Sequence, residues 1–284
     1  MPPPRPDPSQ RKVNVNVNET DWHPPRWGLK RPSAGQSAGQ SGANLSTGSI
    51  DVSRVRVKCR LLVDFDGTIA SVDTTDLLLE RFAAPAWRDI EEDWKAGRIG
   101  SRECMVRQID LVRASPAELD AFIAGIEIDS GFPAFVILCA RLGHSLSVLS
   151  DGLDLTVAAV LRRYGLKLPF WANHLEWCGA DRWRLAFPHA RSDCHALSGN
   201  CKCNFTTRGP RELSIVVGDG RSDFCVAGRA DLVLAKGALL DHCRQRQLPH
   251  LEFADFAQAT NILAGWLEER TANAVGEPAQ RAED

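Results

Sequence analysis

The chain has 284 residues, 44% of them hydrophobic and 25% charged, with a formal net charge of -2 and a pI near 6.4. That size and apolar fraction suit one large domain or a domain with a modest insertion, and the charge shows no global bias towards nucleic acid. No apolar run reaches the roughly 18 residues that span a bilayer and no signal-type segment opens the chain, so a soluble cytoplasmic protein is expected, a monomer or homodimer that engages neither nucleic acid nor membrane.

Residues 1–54 stand apart. Eight of the sixteen prolines fall before residue 33, and A-G-Q-S-A-G-Q-S-G at 34–42 is too polar and simple to offset its ordering entropy, so a disordered N-terminal tail is expected. Cys59 to Val63 is a short apolar run without helical period, which reads as a buried parallel strand. It ends in Asp64-Phe65-Asp66-Gly67-Thr68. Residues i and i+2 of a strand point the same way, so both carboxylates would face one ligand if the strand geometry persists; the plain alternative is a pair of turn formers before a glycine.

Residues 73–126 read as helical. Asp73 caps a helix carrying Leu78 and Phe82 that Pro85 breaks; Trp87 to Ala96 is a second, ended by Gly97; Ser101 to Val112 is a third. In the fourth, Ser115 and Glu118 form a capping box around Pro116, ahead of Leu119, Phe122, Ile123 and Ile126 at i, i+3, i+4, i+7. Four such helices in succession, flanked by a strand-helix alternation, predict a small bundle inserted over the site.

The alternation resumes with a helix at Phe132 to Arg141, a strand at Ser145 to Leu149 ending in Ser150-Asp151-Gly152, and a helix from Leu153 to Tyr164. A strand at Phe170 to Asn173 precedes an irregular insertion over 171–205, within which Trp183 to Phe187 alternates like a hairpin strand. Leu213 to Val217 is a further buried strand, running into G-D-G-R-S-D at 218–223; a short helix, a strand at Leu232 to Leu234, a helix near Leu239 to Arg246 and a last helix bearing Phe256 to Leu267 complete the pattern. A disordered tail is expected over 271–284. Alternating strands and helices predict an α/β fold: a Rossmann-like parallel sheet covered by helices on both faces, with a small α-helical cap (73–126) after the first strand and a core over 55–72 and 127–270.

Three strands therefore end in polar clusters: Asp64 with Asp66, Ser150, and Asp219 with Asp223. At the carboxyl edge of one sheet their carboxylates would repel one another unless a cation sat among them. Oxygen ligands without histidine favour Mg2+ over zinc, and Mg2+ keeps positions open for water and substrate phosphate.

V-D-F-D-G-T, the serine of L-S-D-G and G-D-G-R-S-D resemble the first, second and fourth motifs of the haloacid dehalogenase-like superfamily of phosphohydrolases, in the right order, across residues 60–235. A lysine usually lies between the second and fourth motifs; Lys202 in G-N-C-K-C is the best-placed candidate and Lys167 the other. The resemblance implies that Asp64 attacks phosphorus to form an aspartyl phosphate, and that Asp66 protonates the leaving oxygen and then deprotonates the attacking water. It implies metal held by Asp64, the Asp66 backbone carbonyl and Asp219, with Asp223 either a ligand or a partner of one. Ser150, Lys202 and backbone N–H groups near Gly67 and Gly152 would bind the phosphoryl oxygens of a small phosphorylated metabolite.

The inserted bundle resembles the cap of the phosphoserine-phosphatase-like branch. T-D-L-L-L-E-R-F at 75–82, W-A-N-H at 171–174, F-P-H at 187–189, the cysteines before Lys202 and the stretch from Asp241 to Phe256 resemble the methionine-salvage phosphatases of that branch. Phosphoserine hydrolysis, or phosphate binding without turnover, are the alternatives. Cys178, Cys194, Cys201 and Cys203, with His174, His189 and His195, form the one competing cluster. They lack the close C-x-x-C pairing of a zinc site, and reduced thiols packed beneath the loop that presents Lys202 are expected.

Overall fold

The computed structural model describes residues 57–206 and 212–276, with side chains through residue 270. The expected tail over 1–54 and residues 277–284 lie outside the described residues. In chain order the elements are β1 Lys58–Val63, α1 Thr74–Phe82, α2 Trp87–Lys95, α3 Ser101–Ile109, α4 Pro116–Ala124, α5 Phe132–Arg141, β2 Ser145–Leu153, α6 Asp154–Arg163, β3 Phe170–Gly179, β4 Arg182–Ala186, β5 Glu212–Gly218, α7 Phe224–Ala227, β6 Leu232–Ala235, α8 Gly237–Arg246, β7 His250–Glu252 and α9 Phe256–Gly276.

The strands form one seven-stranded sheet in the order β4-β3-β2-β1-β5-β6-β7. Every pairing is parallel except β3 with β4, a hairpin that adds an antiparallel edge strand. The chain steps from β1 outward through β2 to β3, then returns to the other side of β1 for β5, β6 and β7. Strand order thus reverses at β1, and ligands of open α/β sheets bind outside the strand ends at such a switch point.

Apolar runs in β1, β5 and β6 split between two faces by the strand period. Leu61, Val63, Ile215, Val217 and Leu234 join one core; Leu62, Val216, Val233 and Ala235 join the other. The larger core lies under α5, α6 and α9, and Leu78, Leu79, Met105 and Ile109 of α1 and α3 are continuous with it. The smaller core lies under α7 and α8. Such burial on both sides explains why these strands read as continuous rather than alternating hydrophobic runs.

Local signals set the helix ends. The Asp73 side chain accepts from the Asp76 amide at the start of α1, and Ser115 with Glu118 forms the capping box of α4 around Pro116. The chain enters and leaves the helical segment side by side, through an antiparallel bridge between Ala70 and Ile128. Among the described residues, no helix is long and apolar enough to cross a membrane.

Four features differ from the sequence-based expectation. β3 continues to Gly179, because its second half pairs with β4 at Leu175–Leu185 and Trp177–Trp183, so much of the expected irregular stretch is a hairpin. α3 ends at Ile109 rather than Val112. β7, only three residues long, carries no periodic signal of its own. α9 runs on to Gly276, six residues into the stretch expected to be a tail.

Candidate active site

The Asp64 amide still donates to Val217 O at 2.9 Å, which carries the β1 ladder one residue past the strand. The backbone then turns: Gly67 adopts a left-handed φ of +70°, a region open to glycine at little cost. A Cβ there would lie 2.3 Å from Asp219 Oδ2, so the glycine also lets the first and fourth motifs close together.

Asp64 and Asp66 consequently do not share one set of partners. Asp64 Oδ1 meets Lys202 Nζ at 2.7 Å. Asp66 Oδ1 accepts from the Thr74 amide at 2.9 Å and from the Thr74 hydroxyl, while Asp66 Oδ2 accepts from Ser150 Oγ at 3.1 Å. The i, i+2 geometry expected of a persisting strand is lost at the turn, and that loss gives the two carboxyls separate environments.

Lys202 is 4% exposed and bridges Asp64 to Asp223, 2.7 Å from an oxygen of each, with Ser222 Oγ at 3.0 Å. Lys167, the other candidate, is exposed ahead of the amino end of β3, on the sheet edge away from the site. Burial would lower the Lys202 pKa, but Asp223 and Asp64 outweigh it and hold the ammonium charged.

Asp64, Asp219 and Asp223 each offer an oxygen within 4.8 Å of the others. Burial, then the neighbouring Asp223, pushes the Asp64 pKa well up against the pull of Lys202; burial and Asp223 also raise Asp219. Three carboxylates thus face one lysine, and Asp223 Oδ2 is buried without a hydrogen-bond partner. This hard-oxygen set with surplus negative charge fits a divalent cation such as Mg2+. Asp66 contributes no side-chain oxygen to that group. Burial raises its pKa too, opposed by the hydrogen bonds from Thr74 and Ser150, which suits a carboxyl that must carry a proton.

The Gly152 amide donates to Ser150 Oγ at 2.8 Å and the Gly67 amide to Val72 O at 3.1 Å. Both amides expected near phosphate are therefore engaged within the protein, and contact at Gly152 requires the Ser150 hydroxyl to turn away. A cavity of about 210 Å³ opens over the site, lined by Asp64, Asp66, Gly152 and Asp219 below and by Trp94, Met105 and other residues of α1 to α3 above.

Sequence reasoning passes over several residues that hold these groups. Thr68 Oγ1 donates to Asp219 Oδ1 at 2.6 Å. Asp151, raised in pKa by burial, accepts from Ser101 Oγ and the Asn200 amide, both at 2.8 Å. The Asn200 side chain donates to Ser150 O at 2.9 Å and to Trp171 O at 2.8 Å. Thr68 and Ser222 lie inside the first and fourth motifs and are open to notice as polar neighbours of the aspartates. Thr74, Ser101 and Asn200 act through the tertiary fold and carry no local signal.

The competing cysteine-histidine cluster divides: Cys194, Cys201 and Cys203 stay near one another, while His174 and Cys178 lie on β3. Cys178 is exposed on β3, Cys194 and Cys201 hydrogen-bond to each other, and burial with the nearby Cys194 pushes the Cys201 thiol up to about 12. His174 pairs with Asp154 at 2.6 Å and lines, with His189, a separate cleft near Trp171 and Phe187. Among the described residues, only the three aspartates bring metal-ligating atoms this close together.

A parallel sheet with acidic strand ends at its switch point, a buried lysine among them and a helical roof is an α/β architecture suited to phosphate chemistry. The haloacid dehalogenase-like hydrolase family matches residues 61–228. Two curated relatives are both 2-hydroxy-3-keto-5-methylthiopentenyl-1-phosphate phosphatases: that of Geobacillus kaustophilus is 31% identical, covering 72% of this chain and 94% of the relative, and that of an Exiguobacterium species is 29% identical, covering 72% and 97%. Among solved structures, a phospho-aspartyl intermediate analogue of phosphoserine phosphatase superposes with a TM-score of 0.56 at 19% identity, over 73% of this chain and 99% of that one, a likeness of fold. The chain belongs to the haloacid dehalogenase-like hydrolases and, like these relatives, is a phosphoric monoester hydrolase.

Proposed function

We propose that this hydrolase is Mg2+-dependent, works through an aspartyl-phosphate intermediate and acts on a small phosphorylated metabolite of methionine salvage, 2-hydroxy-3-keto-5-methylthiopentenyl 1-phosphate. The observation that carries the mechanism is Lys202, buried and 2.7 Å from both Asp64 and Asp223. The charged lysine opposes the rise that burial and Asp223 impose on the Asp64 carboxyl, which favours the nucleophilic anion, and its ammonium can turn the proton now given to Ser222 Oγ towards a phosphoryl oxygen.

In the first step an Asp64 oxygen bonds to phosphorus, the bond from phosphorus to the ester oxygen breaks, and Asp66 gives that oxygen its proton. In the second, Asp66 takes a proton from water, the resulting oxygen attacks phosphorus, and the bond to Asp64 breaks to release phosphate. Ser150, whose single hydroxyl proton is given to Asp66 before substrate binds, turns it to a phosphoryl oxygen in the complex. Asp64, the Asp66 carbonyl, Asp219 and Asp223 would hold the Mg2+, which would neutralise charge on the phosphoryl group. The helices over 73–126 act as the cap of a core formed by 55–72 and 127–270, and screen the reaction from bulk water.

The substrate reading is supported by the relatives' activity and by the cavity itself. Its apolar wall is Trp94, Cys104 and Met105, soft and polarisable groups suited to a methylthio tail. The same cavity also presents Asp76, Glu91 and Arg221, charged groups that could meet the ammonium and carboxylate of phosphoserine, so that ester is the competing substrate in the test. The test is a screen of purified full-length protein against 2-hydroxy-3-keto-5-methylthiopentenyl 1-phosphate, phosphoserine and p-nitrophenyl phosphate, with Asp64→Asn alongside. The expected result is a preference for the first by kcat/KM and no turnover by Asp64→Asn. Preference for phosphoserine would overturn the substrate, and an active Asp64→Asn the mechanism.

A further inference from the structure

Thr75 is the second residue of α1 and lines the cavity over the site. Its Oγ1 is shut off from solvent and has no hydrogen-bond partner. The adjacent Thr74 hydroxyl, by contrast, is bound to Asp66. A buried hydroxyl without a partner is costly, and nothing in the fold of this half-buried first helical turn requires one there.

The surroundings indicate what the hydroxyl is for. A Cβ added to Gly152 would lie 2.4 Å from Asp66 Oδ2, 3.0 Å from Ser150 Oγ and 3.2 Å from Thr75 Oγ1. Three oxygens of three different segments thus surround one small space that only a glycine leaves open. Two of them already have roles in the proposed reaction: Asp66 delivers the proton and Ser150 touches the phosphoryl group. Thr75 approaches from α1, on the helical side of the cavity.

We infer that Thr75 Oγ1 donates a hydrogen bond to the ester oxygen that leaves phosphorus, beside the proton delivered by Asp66. The inference rests on the proposed phosphatase mechanism. As the phosphorus–oxygen bond breaks, its electron pair stays on the ester oxygen, Asp66 transfers its proton there, and Thr75 keeps its own proton while its hydrogen bond strengthens with the growing charge. The residue would therefore matter most for esters with basic leaving groups, alkyl and enol oxygens rather than activated phenols. It would be a catalytic residue that tunes leaving-group specificity.

The test is a series of substituted phenyl phosphates, from p-nitrophenyl to unsubstituted phenyl, with kcat and KM measured for wild type, Thr75→Val, Thr75→Ser and Asp64→Asn. Thr75→Val has nearly the same shape and removes only the donor. It is expected to lose about 100-fold in kcat on phenyl phosphate and about threefold on p-nitrophenyl phosphate, with KM little changed, and Thr75→Ser to follow the wild-type slope. Equal losses across the series, or none, would overturn the assignment while leaving the mechanism standing if Asp64→Asn is inert. Turnover by Asp64→Asn, or a wild type inert towards every phosphate, would remove the mechanism and this role with it.

Discussion

Lys202 and Asp64 form an ion pair of 2.7 Å in which the lysine side chain is 3% and the aspartate 5% exposed, and the same ammonium lies 2.7 Å from Asp223. The pair joins the loop before β5 to the end of β1, two segments 138 residues apart in the numbering. Removing one partner of a buried pair leaves an uncompensated charge and costs about 3–5 kcal/mol. Lys202→Met keeps the aliphatic stem and discards the charge, leaving three carboxylates facing one another. It is expected to lower the denaturant midpoint by that order and to reduce kcat about 100-fold or more. Mg2+ should recover part of the stability and none of the turnover. An active, equally stable variant would show that Lys202 neither holds the carboxylates nor the phosphate.

Gly152 allows a cleaner separation of activity from folding. Its backbone is not among the left-handed glycines, so alanine fits the local conformation, yet the new Cβ would lie 2.4 Å from Asp66 Oδ2. Gly152→Ala should displace Asp66 from Ser150 and cut kcat by about 100-fold. Stability should change by only about 1 kcal/mol, because the Asp66 carboxyl borders an open cavity into which it can move. Circular dichroism melts paired with steady-state kinetics test both halves; near-normal kcat would mean that Asp66 works from another position.

Features governed by neighbours along the chain are legible in the sequence. The apolar strand ahead of Asp64 reads as β1, and Ser115, Pro116 and Glu118 announce α4 because a capping box is local chemistry. The aspartate, serine and aspartate at the ends of β1, β2 and β5 can be grouped because parallel strands put their carboxyl ends on one edge. What stays hidden depends on long-range packing. Position in the chain favours Lys202 over Lys167, and burial between Asp64 and Asp223 supplies the physical reason. The second half of β3 becomes strand through pairing with β4, and Asn200 tethers the Ser150 carbonyl only once β2 and β3 lie side by side.

His144 offers a pH test remote from the carboxylates of the site. It is 7% exposed, its Nδ1 accepts from the Cys59 amide at 3.4 Å and its Nε2 has no partner. Burial lowers its pKa below the ordinary 6.5, so the folded protein holds the ring neutral where the unfolded chain takes up a proton. The unfolded state then binds more protons, and stability falls as pH drops from 6.5 towards the lowered folded value. His144→Asn retains an acceptor for the Cys59 amide and cannot charge. Urea unfolding from about pH 8 to about pH 5.5 should show a shallower acid loss for the variant than for wild type. Parallel curves would mean that His144 titrates normally in the folded protein.

The acidic trio predicts a stability effect of Mg2+ that can be read without any substrate. A cation that binds the folded site alone stabilises by an amount that grows with its concentration, about 2.7 kcal/mol at one hundred times its dissociation constant. The melting temperature of wild type should therefore rise with Mg2+ and fall back on chelation with EDTA, and hydrolysis should stop and resume with it. Asp219→Asn removes one anionic ligand and should flatten the rise. Thr68→Val loses only the 2.6 Å hydrogen bond that aims Asp219, and should shift the Mg2+ requirement to higher concentration, about tenfold, while reaching nearly the same plateau. The two variants separate charge from orientation: a melting temperature in wild type that ignores Mg2+ would remove the metal from the site, whereas an unshifted Thr68→Val would remove only the threonine's part in placing its ligand.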